Sequence, residues 1–399
     1  MRSALYGSAF FGALIAIGAC GGETTPEEKK KPKPKEPEVA CASNAECAST
    51  PETPYCDSVC LPKPAGWQIG VGDGSPTSVT FTLIADPGTP RISTDLDFNP
   101  SIPDQLWVVN SQDDSVYIVD RVGKADTAWQ RKRDPAASHF MDKPPAIAFG
   151  TVVETWGQTF GVCGDSDNGG NKFMGPALFP SDLSIFTVET GTGLGSHLDM
   201  LHSTSFCRGI AHVEGNVYFA FNSDKGSLDR YDFVIDHGPG LDDHSDGIIS
   251  RYVEGQVAGV DGIPSHLDYD AETGLLYVAD TGNKRVAVLD TASGTMGASF
   301  SGDEPVDRNE MDGAMLMDLV PPGTLEAPSG ILVHDGVVFV TDNATSVIYA
   351  FDDEGAPLRF LETGLAPGSL VGLTLGIEDG LVYFVDKGTS RVYRIDPIF

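Results

Sequence analysis

Of the eight histidines in this 399-residue chain, five fall between positions 197 and 244. The stretch GSHLDMLHSTSFC (195–207) supplies His197, Asp199 and His202. The stretch RYDFVIDHGPGLDDHSDG (230–247) supplies Asp236, His237, Asp242, Asp243, His244 and Asp246. Imidazole and carboxylate at this density suit a bound cation, nitrogen donors favouring zinc and oxygen donors calcium. Asp242, His244, Asp246 and Gly247 echo the opening of a calcium loop, with donors at alternate positions before a turning glycine. Asp165, Asp167 and Gly169 make a second partial match. In the first, the third position is His and the twelfth is Val253 where a bidentate Glu belongs, so the match stays partial. The competing reading is a set of Gly/Asp turns held by their own side chains. No GxSxG elbow, phosphate loop, HExxH pair or dinucleotide fingerprint occurs, and no Ser–His–Asp order can be argued.

The elements that must position these residues are announced by a repeat. One 16-residue pattern occurs five times: QLWVVNSQDDSVYIVD (105–120), VYFAFNSDKGSLDRYD (217–232), LLYVADTGNKRVAVLD (275–290), VVFVTDNATSVIYAFD (337–352) and LVYFVDKGTSRVYRID (381–396). Each reads as strand, Asx-bearing turn, strand. The double-length first gap holds a degraded sixth copy, assigned to 146–164 together with LSIFTV (183–188). A short strand precedes five copies, at 95–98, 209–213, 266–270, 330–334 and 372–376, and a fourth strand is expected at GASFS (297–301) and LRFLE (358–362). Six units of four antiparallel strands predict an all-β, six-bladed β-propeller. Only three residues follow the last copy, so SVTFTLIA (78–85) is expected to supply the outer strand of blade six and close the ring. The recurring Asn110, Asn222, Asp280, Asp342 and Asp386 are expected to cap turns.

Propeller geometry sorts the candidates. Loops between blades and the turns between second and third strands share one rim, here called the top. His197 and His202, read as part of the connection from blade two to blade three, belong there, as does the 165–182 insertion. His266 opens the inner strand of blade four, Asp95 takes the same place in blade one, and Gly209, Gly330 and Gly372 take it in three others. The candidates for a top site are His202, His266 and Asp95 with His197 or Asp199, and zinc is its metal in the enzyme reading; the competing reading is a wet channel lined by polar residues. The 236–247 loop, read as joining the third and fourth strands of blade three, is expected on the opposite rim. His212 is read as a hydrogen-bonded core residue.

LLYVADTGNKRVAVLD resembles the NHL repeat in its Tyr277-Val278-Ala279-Asp280 run, Asn283 after Gly282, and Arg285-Val286. The resemblance extends at blade level over roughly 92–399 and implies a six-bladed ring. NHL propellers include protein- and RNA-binding modules and the peptidyl amidating lyases, which hold zinc by inner-strand histidines; here His266 alone occupies such a position, after Pro264-Ser265. The fold therefore leaves activity open.

The N-terminus reads as an export signal. ALYGSAFFGALIAIGA (4–19) is an apolar run after Arg2, too short to span a membrane comfortably. It ends in Ile17-Gly18-Ala19-Cys20, which resembles the lipobox of bacterial lipoproteins and implies acylation at Cys20. Residues 21–40 carry four prolines, five lysines and five glutamates, the composition of an extended tether. Cys41, Cys47, Cys56 and Cys60 read as a disulfide-rich module (41–62) with three possible pairings, and Cys163 with Cys207 as a further bridge. The propeller is assigned to 67–399. The formal charge of −31 excludes nucleic acid and anionic membrane as natural partners.

Three functions compete. The leading one is a monomeric, lipid-anchored cell-envelope module, on the outer membrane in preference to the inner, that binds a protein or small molecule through its top face. The second is a metal-dependent lyase or hydrolase, and the third a structural docking factor of the envelope.

Overall fold

The computed structural model describes residues 40–47, 55–57, 59–88, 91–167, 173–302 and 304–399. Cys20, the export signal and nearly all of the tether lie outside these residues. Strands β1 (Tyr55–Asp57) and β2 (Val59–Leu61) form a small hairpin, braced by disulfides Cys41–Cys56 and Cys47–Cys60. It sits near the C-terminus: the Phe399 ring lies between those of Tyr55 and Trp67, at 6.5 and 5.8 Å.

Strand β3 (Val79–Ala85) precedes six sheets set round a channel. Blade one is β4 (Ser93–Phe98), β5 (Leu106–Asn110), β6 (Ser115–Asp120) and β7 (Ala128–Lys132). Blade two is β8 (Ile147–Val153), β9 (Gly157–Val162), β10 (Ala177–Pro180) and a two-residue β11 (Asp199–Met200). Blade three begins with β12 (Cys207–Glu214), β13 (Val217–Asn222), β14 (Ser227–Asp232) and β15 (Ile248–Tyr252). Blade four is β16 (Leu267–Asp270), β17 (Leu275–Asp280) and β18 (Arg285–Asp290), then a hairpin of β19 (Thr295–Ser299) and β20 (Asp307–Asp312), then β21 (Leu316–Val320). Blade five is β22 (Pro328–His334), β23 (Val337–Asp342), β24 (Val347–Asp352) and β25 (Pro357–Glu362). Blade six is β26 (Leu370–Leu375), β27 (Val382–Asp386) and β28 (Arg391–Pro397), completed by β3.

The ring closure is as the sequence predicts, with β3 antiparallel to β28 from Val79↔Pro397 to Ala85↔Val392. Two strand assignments are corrected. Residues 183–188 form no strand: β10 takes the third place in blade two, and Phe186 is instead a fully buried core residue. GASFS overlaps β19, which is not the outer strand of blade four. β19 pairs with β20, β20 runs parallel to β15, and blade three thereby grows to six strands while β21 completes blade four.

The central strands read as apolar runs because neighbouring blades cover both of their faces. β5 and β27 are buried at every position, whereas outer strands such as β7 and β19 are largely exposed. Between blades one and two, Trp107 packs against Phe160 at 4.9 Å and Phe186 at 5.3 Å. In every blade but the second, the residue before the third strand (Asp114, Gly226, Lys284, Ser346 and Ser390) has φ between 52° and 61°, so each of these five turns needs one left-handed residue. The repeated Asx side chains brace the same turns. Asn110 Oδ1 accepts the Gln112 N–H at 2.9 Å, Asp342 Oδ1 the Ala344 N–H at 3.0 Å, and Asp386 Oδ1 the Gly388 N–H at 2.9 Å. Cys163, after β9, is bonded to Cys207 at the start of β12, tying blade two to blade three.

Candidate functional sites at the channel and between blades two and three

Blades one and four stand opposite one another in a ring of six, and each places a polar residue at the top of its inner strand. His266 Nδ1 lies 3.5 Å from Asp95 Oδ1, and His266 Nε2 donates to the Pro145 carbonyl at 3.0 Å. This contact pinches the channel. The sister positions are glycine for steric reasons: a Cβ on Gly209 would lie 2.2 Å from Ser265 O, on Gly330 2.4 Å from Val371 O, and on Gly372 2.4 Å from Asp95 Oδ1.

Beside the pinch a cavity of about 250 Å³ is lined by Asp95, Asp97, Asp268, His212, His266 and Thr374 among others. Its carboxyls staple neighbouring blades. Asp95 Oδ2 accepts the Ile147 N–H at 3.0 Å, Asp97 Oδ2 the Phe149 N–H at 2.9 Å, and Asp268 Oδ2 the Val333 N–H at 2.6 Å. Burial pushes Asp95 up to about 8, and Asp97 and Asp268 up to about 7, while it pulls His266 down to about 4. His212 is hydrogen-bonded as expected, to Gly215 O at 3.1 Å, but it lines this cavity.

Above the pinch opens the top mouth, a cavity of about 410 Å³. Its residues come from inter-blade loops and second-to-third-strand turns: Ser111, Gln112 and Asp114, Asp142 and Lys143, Asp165, Gly262, and Lys387. Lys387 Nζ donates to Gly262 O, and burial lowers its pKa. Asp165, raised by burial, pairs with Arg208 at 3.1 Å, and Arg208 also reaches Asp261 at 2.9 Å. The Asp165 carboxylate is thus engaged by a guanidinium, and Asp167 is the last described residue before 168–172.

His202 and His197 are not at the mouth. Because β11 is the fourth strand of blade two, His197 precedes that strand and lies on the rim of the third-to-fourth-strand loops. The 236–247 loop of blade three is on that same rim. The two segments hydrogen-bond directly, Gly240 N–H to His197 O at 2.8 Å and His237 N–H to Leu198 O at 3.1 Å. The expected separation of the two histidine stretches is therefore corrected, and so is the expected grouping of His202 with His266 and Asp95. His202 instead pairs through Nδ1 with Glu304 Oε2 at 3.2 Å, beside the His244 ring at 6.4 Å.

One donor atom from each of His197, His237 and His244 lies within 4.8 Å of the others. His197 is fully buried and stacks on Phe140 at 3.8 Å; burial, with His237 beside it, pulls it down to about 3. Asp199, two residues on, is buried and pushed up to about 9 by that burial. Asp246 is spent locally, accepting the Ile235 N–H at 3.1 Å, and Asp243 caps Ser245. Reading the sequence grouped His237 with its loop and missed its partner His197. The clustering of five histidines in one stretch was the available signal.

No family model matches the chain, and no curated protein matches it. Solved structures do. A putative phosphatase from Bacteroides thetaiotaomicron VPI-5482 aligns with TM-score 0.51 at 10% identity, covering 80% of this chain and 78% of that one. A luciferin-regenerating enzyme aligns with TM-score 0.50 at 12% identity, over 80% and 95%. An auxiliary nutrient binding protein from Bacteroides ovatus ATCC 8483 aligns with TM-score 0.49 at 12% identity, over 81% and 77%. The likeness is one of fold. The chain is a six-bladed β-propeller. Like other rings of its kind it offers a mouth, a channel and loop-built flanks as separate places for function.

Proposed function

We propose that this propeller is a binding module that takes a small polar ligand into its top mouth. The observation that carries the reading is the mouth itself: a cavity of about 410 Å³ in which Lys143 and Lys387 face Asp114, Asp142 and Asp165. Convergent groups of both signs over a pinched channel suit a ligand rich in hydroxyl, carboxylate or ammonium groups. The Asp95–His266–Pro145 contact gives that ligand a floor. In this reading the chain is exported and held to the envelope through Cys20. The lipobox-like Ile17-Gly18-Ala19-Cys20 and the pairing of all six described cysteines in disulfides support that part.

A thermal-shift screen of polar small molecules tests it. A ligand that raises Tm in the wild type should bind at least about tenfold more weakly to Lys387→Ala, a loss of about 1.4 kcal/mol. A panel without a ligand, or ligands indifferent to Lys387→Ala and Lys143→Ala, would overturn the reading.

A further inference from the structure

We propose that His197, His237 and His244 hold one divalent transition metal of the zinc class, each through Nε2, in a site apart from the mouth and the channel. Three features of the rings carry this. First, His197 Nδ1 lies 2.8 Å from Leu194 O and His237 Nδ1 lies 2.7 Å from Gly238 O. A carbonyl only accepts, so in both rings Nδ1 bears the proton and Nε2 carries the lone pair. A backbone carbonyl on the second nitrogen is how metal-bound imidazoles are commonly oriented. Second, His244 Nδ1 faces Glu304 Oε2 at 3.8 Å, the carboxylate version of the same arrangement. Third, the Nε2 atoms of all three rings are buried without a hydrogen-bond partner. A buried acceptor left unpaired loses its water and gains nothing in return; three that converge from two separate segments of the chain are answered together by one cation.

The donor set selects the metal. Three imidazole nitrogens suit zinc and its late first-row neighbours, whereas calcium and magnesium require oxygen. Three protein ligands leave one coordination position. On the His244 side lies a cavity of about 220 Å³ lined by His202, Asp242, Asp243 and Glu304 among others, which gives that position room for water or a small ligand. The carboxylates also attract a dication from solution. Because His197 belongs to blade two and the other two ligands to a blade-three loop, the metal would staple the flanks of two blades.

The test uses the full chain, purified in detergent without a polyhistidine tag, stripped with chelator and titrated with zinc against a chromophoric competitor. The expected result is one equivalent bound, a higher Tm on loading, and a tetrahedral-type visible spectrum with cobalt in place of zinc. His237→Gln and His244→Gln should each weaken zinc by about 100-fold or more, with unchanged circular dichroism, while His266→Ala keeps it. Both substitutions fall on a loop, so folding of these variants does not depend on the fully buried His197. Failure of the wild type to bind zinc, binding indifferent to His237→Gln and His244→Gln, or binding lost in His266→Ala instead would each overturn the proposal.

Discussion

Asp95 Oδ1 and His266 Nδ1 face each other at 3.5 Å across the top of the channel, and near neutral pH the two residues form a neutral pair. Burial holds the carboxyl protonated up to about 8 and the imidazole neutral down to about 4. His266 Nε2–H is committed to Pro145 O, so the lone pair of Nδ1 is the face turned to the Asp95 carboxyl.

This pair gives stability a pH dependence of mixed sign. An unfolded Asp loses its proton near pH 4, whereas folded Asp95 keeps it to about 8. Its contribution is whole below about pH 4 and falls as pH rises to about 8. His266 acts oppositely: its contribution is whole above about 6.5 and falls as pH drops toward 4. Asp95→Asn retains an acceptor for the Ile147 N–H and a donor for His266, and it does not titrate. Thermal melts should show the Tm of Asp95→Asn gaining on the wild type by several degrees between pH 5 and pH 9. A constant difference would mean that Asp95 is ionised throughout.

Arg251 and Asp229 form a buried bidentate pair in blade three, Nε to Oδ1 at 3.0 Å and Nη2 to Oδ2 at 2.9 Å. Asp229 is fully buried and also accepts from Asn222 and Ser227. Arg251→Met strands that carboxylate and should cost about 3–5 kcal/mol in urea unfolding. Adding Asp229→Asn should recover part of the loss, because the uncompensated charge is its main source.

The Cys163–Cys207 bridge closes a 44-residue separation. In the chain-entropy view its removal by paired substitution to Ser should lower stability by about 4 kcal/mol. Denaturant titration measures this, and a loss well below that figure would mean that the unfolded chain is already compact around the bridge.

Deleting residues 67–85 removes β3 and bares the β28 edge. An open edge invites pairing between molecules, so size-exclusion chromatography should show oligomers where the intact chain runs as one species. A synthetic peptide covering 76–88 should restore the elution of the intact chain; if the truncated chain already elutes like the intact one and unfolds cooperatively, β3 is dispensable for closure.

The ring was legible because its signal is periodic. Asx side chains, polar turns and apolar strand pairs recur at blade intervals, and the closing strand shows as the strand-like run 78–85 that has no partner in blade one. Blade two was harder: its third strand has four residues and its fourth only two, too few to show a period. That one brevity moved His197 to the wrong rim and hid its meeting with His237 and His244. The hairpin β19–β20 misled for another reason. Its sequence says strand, but nothing local tells which blade a strand will join.

That hairpin also sets an order of events at synthesis. Blade three exposes the flank of β15 when Tyr252 leaves the ribosome, and β20 covers it only after residues 307–312 have emerged. In between, blade four's first three strands must be made. The nascent chain therefore carries an uncovered strand flank that the finished protein does not have, and chaperone dependence is to be sought during translation at that interval, not in the mature ring.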